Sequence, residues 1–237
     1  MSSAGRSSAP WGRGAVMTKP FDSIVRIDSG GPTTRAGVGA KRARTVGRLT
    51  AVVYTIGHST HPIEVFLKLL TAHGVQEVVD VRRNPRSQQN PQYQQTALRR
   101  SLSAAGIRYR HMPRLGGLRH ARKRSPNDGW IDASLRGFAD HMQSNEFQAG
   151  LRRLEAEARK RVIAIMCAEA FVAWCHRSLI ADALTVSGWR VLHIQSQHTA
   201  TIHTRTPFLR VRRGQLLYPR AARTGAAYSA PGFQGYA

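Results

Sequence analysis

Between residues 51 and 219 the chain alternates short apolar runs with stretches of helical periodicity. Residues 51–56 are rich in Val, Tyr and Ile and stop at Gly57, the pattern of a buried strand. Ile63, Phe66, Leu67 and Leu70 recur at helical spacing, with Pro62 suited to a first turn and Gly74 to a C-terminal cap. Residues 75–81 predict a second strand, 96–105 a short helix closed by Gly106, and 107–112 a third strand. A long polar stretch follows. Residues 134–142 and 146–159 read as two helices broken near Ser144 and Asn145. The most apolar strand is 161–166, followed by a helix over 175–186 that ends at Gly188 and a fifth strand over 190–194.

Such alternation with short connections predicts a single three-layer α/β domain. Its mainly parallel sheet has about five strands flanked by helices. Eight strands for a closed barrel are not present. Within 206–219, Gly214 separates two apolar pieces and suggests a C-terminal β-hairpin. Residues 1–50, rich in Ser, Gly, Ala, Thr and Arg, are expected to form a disordered basic extension, and 220–237 a disordered tail.

Charge adds a partner class to this picture. The 237 residues hold 36 Lys+Arg against 13 Asp+Glu, a formal charge of +23. The excess is +7 over 1–50, +14 over 51–219 and +2 over 220–237. Residues 108–124 alone carry Arg108, Arg110, Arg114, Arg119, Arg122, Lys123 and Arg124, with no acid. A small anionic molecule or a nucleic acid suits such a surface, although an Arg-biased coding genome produces the same composition. No apolar run is long enough to span a bilayer, and nothing near Met1 has the apolar core of a secretory signal. Two cysteines cannot build a disulfide framework, so a reducing cytoplasm is the expected compartment.

In a parallel sheet, ligands bind outside the carboxyl ends of the strands. Those ends here carry His58 and Ser59, Asp80 and Arg82, Gly116 and Gly117, Cys167 and Glu169, then Cys175, His176 and Arg177. Cys175 stands at a predicted helix start beside two cationic residues, where a thiolate is favoured. It is a candidate nucleophile; the alternative is an inert cysteine at a helix–sheet contact. Asp80 and Arg82 share one side of a strand, as an internal ion pair or as a carboxylate and a guanidinium facing a cleft. Adjacent Cys175 and His176 are expected to point poorly at one ion, so no metal is assigned. A phosphatase loop needs Arg six positions after its Cys; Ala173 and Ala181 stand there. No phosphate-binding Gly-rich loop follows the first strand, and no cofactor is assigned. Phe171 and Trp174 are placed either to stack on a base or to cover the core.

The strings YTIGHST (54–60), DVRRNPRS (80–87), LGG (115–117) and CAEAFVAWCHRSLIADAL (167–184) resemble the family called domain of unknown function 488. SPNDGW, RGFADHM and TPFLRVRRGQLLYP extend the likeness to residue 219. The resemblance implies an α/β domain without an established activity. It marks His58, Ser59, Asp80, Arg82, Gly116, Gly117, Cys167, Glu169, Cys175, His176 and Arg177 as motif positions. The loop 170–174 is apolar, where the commoner form of the motif carries charge and proline.

The resulting expectation is an enzyme with Cys175 as reactive group. His58, His176, Asp80 and Glu169 handle protons. Arg82, Arg177 and Arg119 hold an anionic substrate, with Ser59, Gly116 and Gly117 lining its site. The alternative is a nucleic-acid-binding module whose cysteines are structural.

Overall fold

The computed structural model describes residues 51–220. The expectations for 1–50 and for the tail beyond residue 220 lie outside the described residues. Arg220 belongs to the folded part, its backbone N–H donating to Asp128 Oδ1 at 2.8 Å.

In chain order come β1 (Val52–Gly57), α1 (Ile63–Ala72), β2 (Glu77–Asp80), α2 (Gln95–Ala104) and β3 (Arg108–His111). Then follow α3 (Ala133–His141), α4 (Asn145–Ala158), β4 (Ile163–Cys167), α5 (Arg177–Val186) and β5 (Arg190–Ile194). Three short strands close the described chain: β6 (Ala200–Ile202), β7 (Arg210–Arg212) and β8 (Gln215–Leu217). Ser144 sits where the break between α3 and α4 was expected, and its hydroxyl caps α4 by accepting from Phe147 N at 3.2 Å.

The main sheet runs β3-β2-β4-β1-β5-β6, parallel throughout except that β6 pairs antiparallel with β5. It has six strands rather than about five. Three residues after a polar loop are too short to leave a period-two signature, so β6 is invisible to pattern reading. β7 and β8 form the C-terminal hairpin. Among the described residues no helix is long and apolar enough to cross a membrane.

Strand alternation divides the core into two. Val53, Val79, Ile163 and Ile165 face α3, α4 and α5, whereas Ile56, Val78, Ala164 and Met166 face α1 and α2. Register then sets the carboxyl edge. Gly57 pairs with Cys167 and Asp80 with Met166, so the loops after β1, β2 and β4 emerge side by side. Gly57 is needed there: a Cβ would stand 2.0 Å from the Glu169 carbonyl oxygen, where the loop after β4 crosses the end of β1.

Candidate functional site

Alternation decides which motif residues meet. Cys167 follows Ile163 and Ile165 onto the face covered by α3–α5, and Cys175 joins the same core. Asp80, two residues after Val78, points to the other face, where Tyr109 bonds it. The residues expected in one cleft therefore form two clusters across the sheet edge.

The first is a thiol cluster. Residues 172–174 make one 3₁₀ turn, after which Cys175 is extended (φ −120°, ψ 141°) and His176 is helical (φ −56°, ψ −13°). This change of backbone turns two adjacent side chains toward Cys167. His176 Nδ1 lies 3.7 Å from Cys175 Sγ and 3.9 Å from Cys167 Sγ. The expectation that neighbours cannot converge fails for this reason. Cys167, Cys175 and His176 bring their donor atoms within 4.8 Å of one another and could hold a soft metal ion. His176 Nε2 donates to the Val81 carbonyl at 3.2 Å, which leaves Nδ1 facing the sulfurs. A Cβ on Gly117 would stand 2.8 Å from Nδ1 and 3.2 Å from both Cγ and Cε1. It would thus sit over the ring rather than along the nitrogen lone pair, so Gly117 packs the imidazole flat without blocking that lone pair.

Helix α5 begins at Arg177, two residues later than the pattern suggested. Its first backbone N–H therefore points back at Cys175 Sγ, at 3.5 Å, and Arg177 Nε donates to the same sulfur at 3.3 Å. Burial alone would push the Cys175 thiol up. The hydrogen bond from Cys167, the Arg177 charge and His176 outweigh it and hold Cys175 well below the ordinary thiol value. The Cys167 thiol is pushed well above that value, first by its hydrogen bond with Cys175 and then by burial. The two thiols are thus driven in opposite directions, Cys175 toward the thiolate. Cys175 is 3 % exposed and Cys167 8 %, so both are buried, one at each end of the loop 168–174. That loop presents Phe171 and Trp174 to solvent, 70 % and 48 % exposed; neither covers the core.

Arg177 is not free to clamp a substrate. It is itself buried, and besides Cys175 it donates through Nη1 to Thr55 Oγ1 (3.4 Å) and through Nη2 to the Glu169 and Ala170 carbonyls. The Glu169 side chain is exposed and accepts from Phe171 N at 3.1 Å, so the strand-like placement expected beside Cys167 is absent: β4 has already ended.

The second cluster is a closed ion pair. Arg82 donates Nε to Asp80 Oδ1 (2.9 Å), Nη2 to Oδ2 (2.6 Å) and its backbone N–H to Oδ1 (3.0 Å). Tyr109 adds a hydroxyl at 2.8 Å. Both residues are buried. Asp80 is consequently a fixed counter-charge rather than a proton carrier, and Arg82 has one arm left, Nη1, 3.2 Å from His58 Nε2. His58 donates Nδ1–H to the Ser59 carbonyl at 2.8 Å and stacks on Tyr93 with ring centroids 4.0 Å apart. Burial, opposed by the Ser59 carbonyl and aided by the Arg82 charge, lowers its pKa from 6.5 to about 4. His58 is neutral at physiological pH with both nitrogens engaged.

A buried chain that pattern reading missed runs away from Arg177. Thr55 Oγ1 meets His193 Nδ1 at 2.8 Å, His193 Nε2 meets His203 Nδ1 at 3.0 Å, and His203 Nε2 meets Asp182 Oδ1 at 3.0 Å. Asp182 also accepts from Thr206 Oγ1 (2.6 Å), Thr206 N (3.0 Å) and Tyr218 OH (3.1 Å). A carboxylate can only accept, so His203 donates its Nε2–H to Asp182. Burial, then the neighbouring His203 and Arg177, lowers the His193 pKa to about 4. The available signal was a polar side chain inside an apolar run: Thr55 in β1, His193 opposite it in β5, and Asp182 within the apolar helix α5.

The rim is cationic. Arg83 Nη1 donates to the Leu118 carbonyl (2.9 Å), and a Cβ on Gly116 would meet Arg83 Cα at 2.9 Å, so the LGG loop lies directly on the loop after β2. Arg119 donates to the Gly116 carbonyl and pairs with Glu146 at 3.5 Å. Ser59 and Leu118 both hold positive φ (46° and 55°), conformations that non-glycine residues rarely adopt, on this same edge. Arg110 of the cationic stretch is taken by Glu77 at the opposite end of the strands. Two cavities, one beside Met142, Phe147 and Leu216 and one beside Arg99 and Tyr109, include no member of the thiol cluster.

A family profile described as "Domain of unknown function DUF488" matches residues 62–184, just over half of the chain. The chain belongs to the DUF488 family. The matched span includes Asp80, the LGG loop, both cysteines and all but the last two residues of α5, and leaves out the GHS string at the end of β1 and the hairpin. No curated protein and no solved structure matches the chain.

Proposed function

We propose that this DUF488 protein is an enzyme whose reactive group is the Cys175 thiolate, acting on an anionic, phosphate-bearing substrate. The observation that carries the reading is the pair of Arg177 donors on Cys175 Sγ, at 3.3 and 3.5 Å. A structural cysteine has no need of a buried guanidinium and a helix N-terminal N–H aimed at its sulfur. His176 Nδ1 supplies the nearby base or counter-charge. With Arg82 and Arg177 both spent on internal partners, recognition of the anion passes to the rim, where Arg83 and Arg119 bond the 116–118 loop and Gly117 of that loop packs on His176. Exposed Phe171 and Trp174 offer flat apolar surface for the remainder of the substrate, a nucleobase among other groups.

Paired alkylation tests both halves. Iodoacetamide is neutral and iodoacetate is an anion of nearly the same size. Cys175 should react with iodoacetamide at neutral pH faster than glutathione does, and iodoacetate should gain on iodoacetamide as salt is lowered. A Cys175 that is inert in the folded, metal-free protein would remove the nucleophile. A ratio of the two rates that does not change with salt would remove the anionic substrate.

A further inference from the structure

We infer that Cys167, Cys175 and His176 form a binding site for a soft divalent cation, of which zinc is the type, with one coordination position left open. The claim that an ion there silences the thiolate rests on the reading of Cys175 given above; metal binding itself does not.

The geometry is close to that of a ligated site without any rearrangement of backbone. Zinc bonds of about 2.3 Å to sulfur and about 2.0–2.1 Å to nitrogen, at tetrahedral angles, put ligand atoms about 3.6 Å apart for S–N and about 3.8 Å for S–S. The two observed S–N separations are 3.7 and 3.9 Å, and no pair among the three atoms exceeds 4.8 Å. Sulfur and imidazole are the donors that borderline-soft ions select over magnesium or calcium.

The surroundings match what holds such ligands in place. Ligating histidines usually donate their other ring N–H to a carbonyl, which sets the tautomer. His176 does this to Val81, leaving Nδ1 as the only ring atom able to bind an ion. Gly117 packs against the ring face and leaves the lone pair clear. Arg177 Nε already donates to Cys175 Sγ, and a thiolate ligand keeps lone pairs for that bond. Cys167 is anchored by the β4 ladder, and Cys175 by the turn through Cys175 N to the Val172 carbonyl and Ser178 Oγ to the Cys175 carbonyl. Among the described residues this is the one group of three His, Cys, Asp or Glu side chains arranged to share an ion.

Three protein ligands leave a fourth position, the pattern of sites that act on a substrate or a water rather than merely brace a fold. Any thiol protonated beforehand gives its proton to solvent on binding, and two thiolates neutralise the dication. Because Cys175 is then a ligand, the loaded and the nucleophilic forms exclude one another.

Cobalt(II) is the probe. The full-length, reduced protein, stripped by chelator and dialysed, should take up one equivalent of Co²⁺. Sulfur-to-cobalt charge-transfer absorption and the intense visible bands of a tetrahedral thiolate site should appear, and Zn²⁺ should bleach them. Cys167→Ser should abolish the charge-transfer bands or weaken binding strongly. His176→Ala should weaken binding by about tenfold or more. One equivalent of Zn²⁺ should suppress iodoacetamide labelling of Cys175. Absence of thiolate bands at stoichiometric cobalt, or bands unchanged in both variants, would overturn the site. If those bands are absent while metal-free Cys175 alkylates rapidly, the metal site falls and the thiolate reading stands. If the bands form and metal-free Cys175 is inert, the metal site stands and the nucleophile falls.

Discussion

Two clusters stand on opposite faces of the same sheet edge, built from similar parts, and they end in opposite states. On one, Asp80 takes three hydrogen bonds from Arg82 and one from Tyr109, and His58 uses both ring nitrogens. Every polar atom there has a close partner, so nothing is left to react. On the other, two sulfurs and an imidazole nitrogen converge at 3.7 and 3.9 Å with a guanidinium holding one sulfur. The thiol side keeps unspent lone pairs. The lesson is that an Asp-x-Arg pair can saturate itself locally, because an acceptor with four lone pairs meets a donor with five N–H groups. Two soft sulfurs cannot saturate one another in that way.

Breaking the closed side should cost most. Asp80→Asn removes the charge that compensates a buried Arg82, and loss of one partner of a buried pair typically costs about 3–5 kcal/mol. Chemical denaturation of the variant should show that loss. A change below about 1 kcal/mol would mean that Arg82 reaches solvent and that the cluster is not closed.

Acid should act on both faces at once. His58 on one face and His193 on the other each have a folded-state pKa of about 4. In the unfolded chain the value returns to about 6.5, so the unfolded state binds protons more readily between those limits. Stability is therefore full above pH ~6.5 and declines as pH falls toward 4, by at most about 3 kcal/mol for each group. Denaturation midpoints between pH 7 and 4 report this, and His193→Gln should remove one share of the slope. A profile as steep in that variant as in the parent would place the titration elsewhere.

Severing the buried chain behind Arg177 should cost less. Thr55→Val keeps the shape of a fully buried residue but leaves His193 Nδ1 and Arg177 Nη1 without their partner. An unpaired buried polar group costs about 1–3 kcal/mol. If the chain aims Arg177 at the sulfur, iodoacetamide labelling of Cys175 should also slow at neutral pH. Equal labelling in parent and variant, with the stability loss present, would reduce the chain to a structural brace.

What was legible follows from range. The order of strands and helices came from local periodicity, which the strands 52–57, 163–167 and 190–194 display openly. The gathering of His58, Asp80, Cys167 and Cys175 on one edge came from strand ends alone. Which face each residue takes was also encoded, in the odd and even positions of β2 and β4, but a motif list does not carry parity across strands. Thr55 and His193 were illegible for another reason. Their bond spans 138 residues and exists because β1 and β5 pair in one register. The convergence of Cys175 and His176 depends on two backbone conformations at a helix start, which side-chain identity does not announce.

The rim should give the smallest structural effect and the sharpest functional one. Arg83 is exposed and donates to a loop carbonyl, and Arg119 meets half-exposed Glu146 at 3.5 Å. An exposed contact such as that of Arg83 contributes about 0–1 kcal/mol, so Arg83→Ala should leave thermal unfolding nearly unchanged, whereas Arg119, whose side chain is 16 % exposed and also holds the Gly116 carbonyl, should cost somewhat more when cut to Ala. Their charges nevertheless act beyond contact range, over a Debye length of about 10 Å at 0.1 M salt. If they steer an anion toward the thiolate, the ratio of iodoacetate to iodoacetamide rates at Cys175 should fall in the double variant. The iodoacetamide rate should stay as it was, because a neutral reagent feels no steering. A ratio that does not move would leave Arg83 and Arg119 without a steering role at this edge. A fall in both rates together would show instead that the rim holds the LGG loop against His176, making it part of the thiol cluster's scaffold.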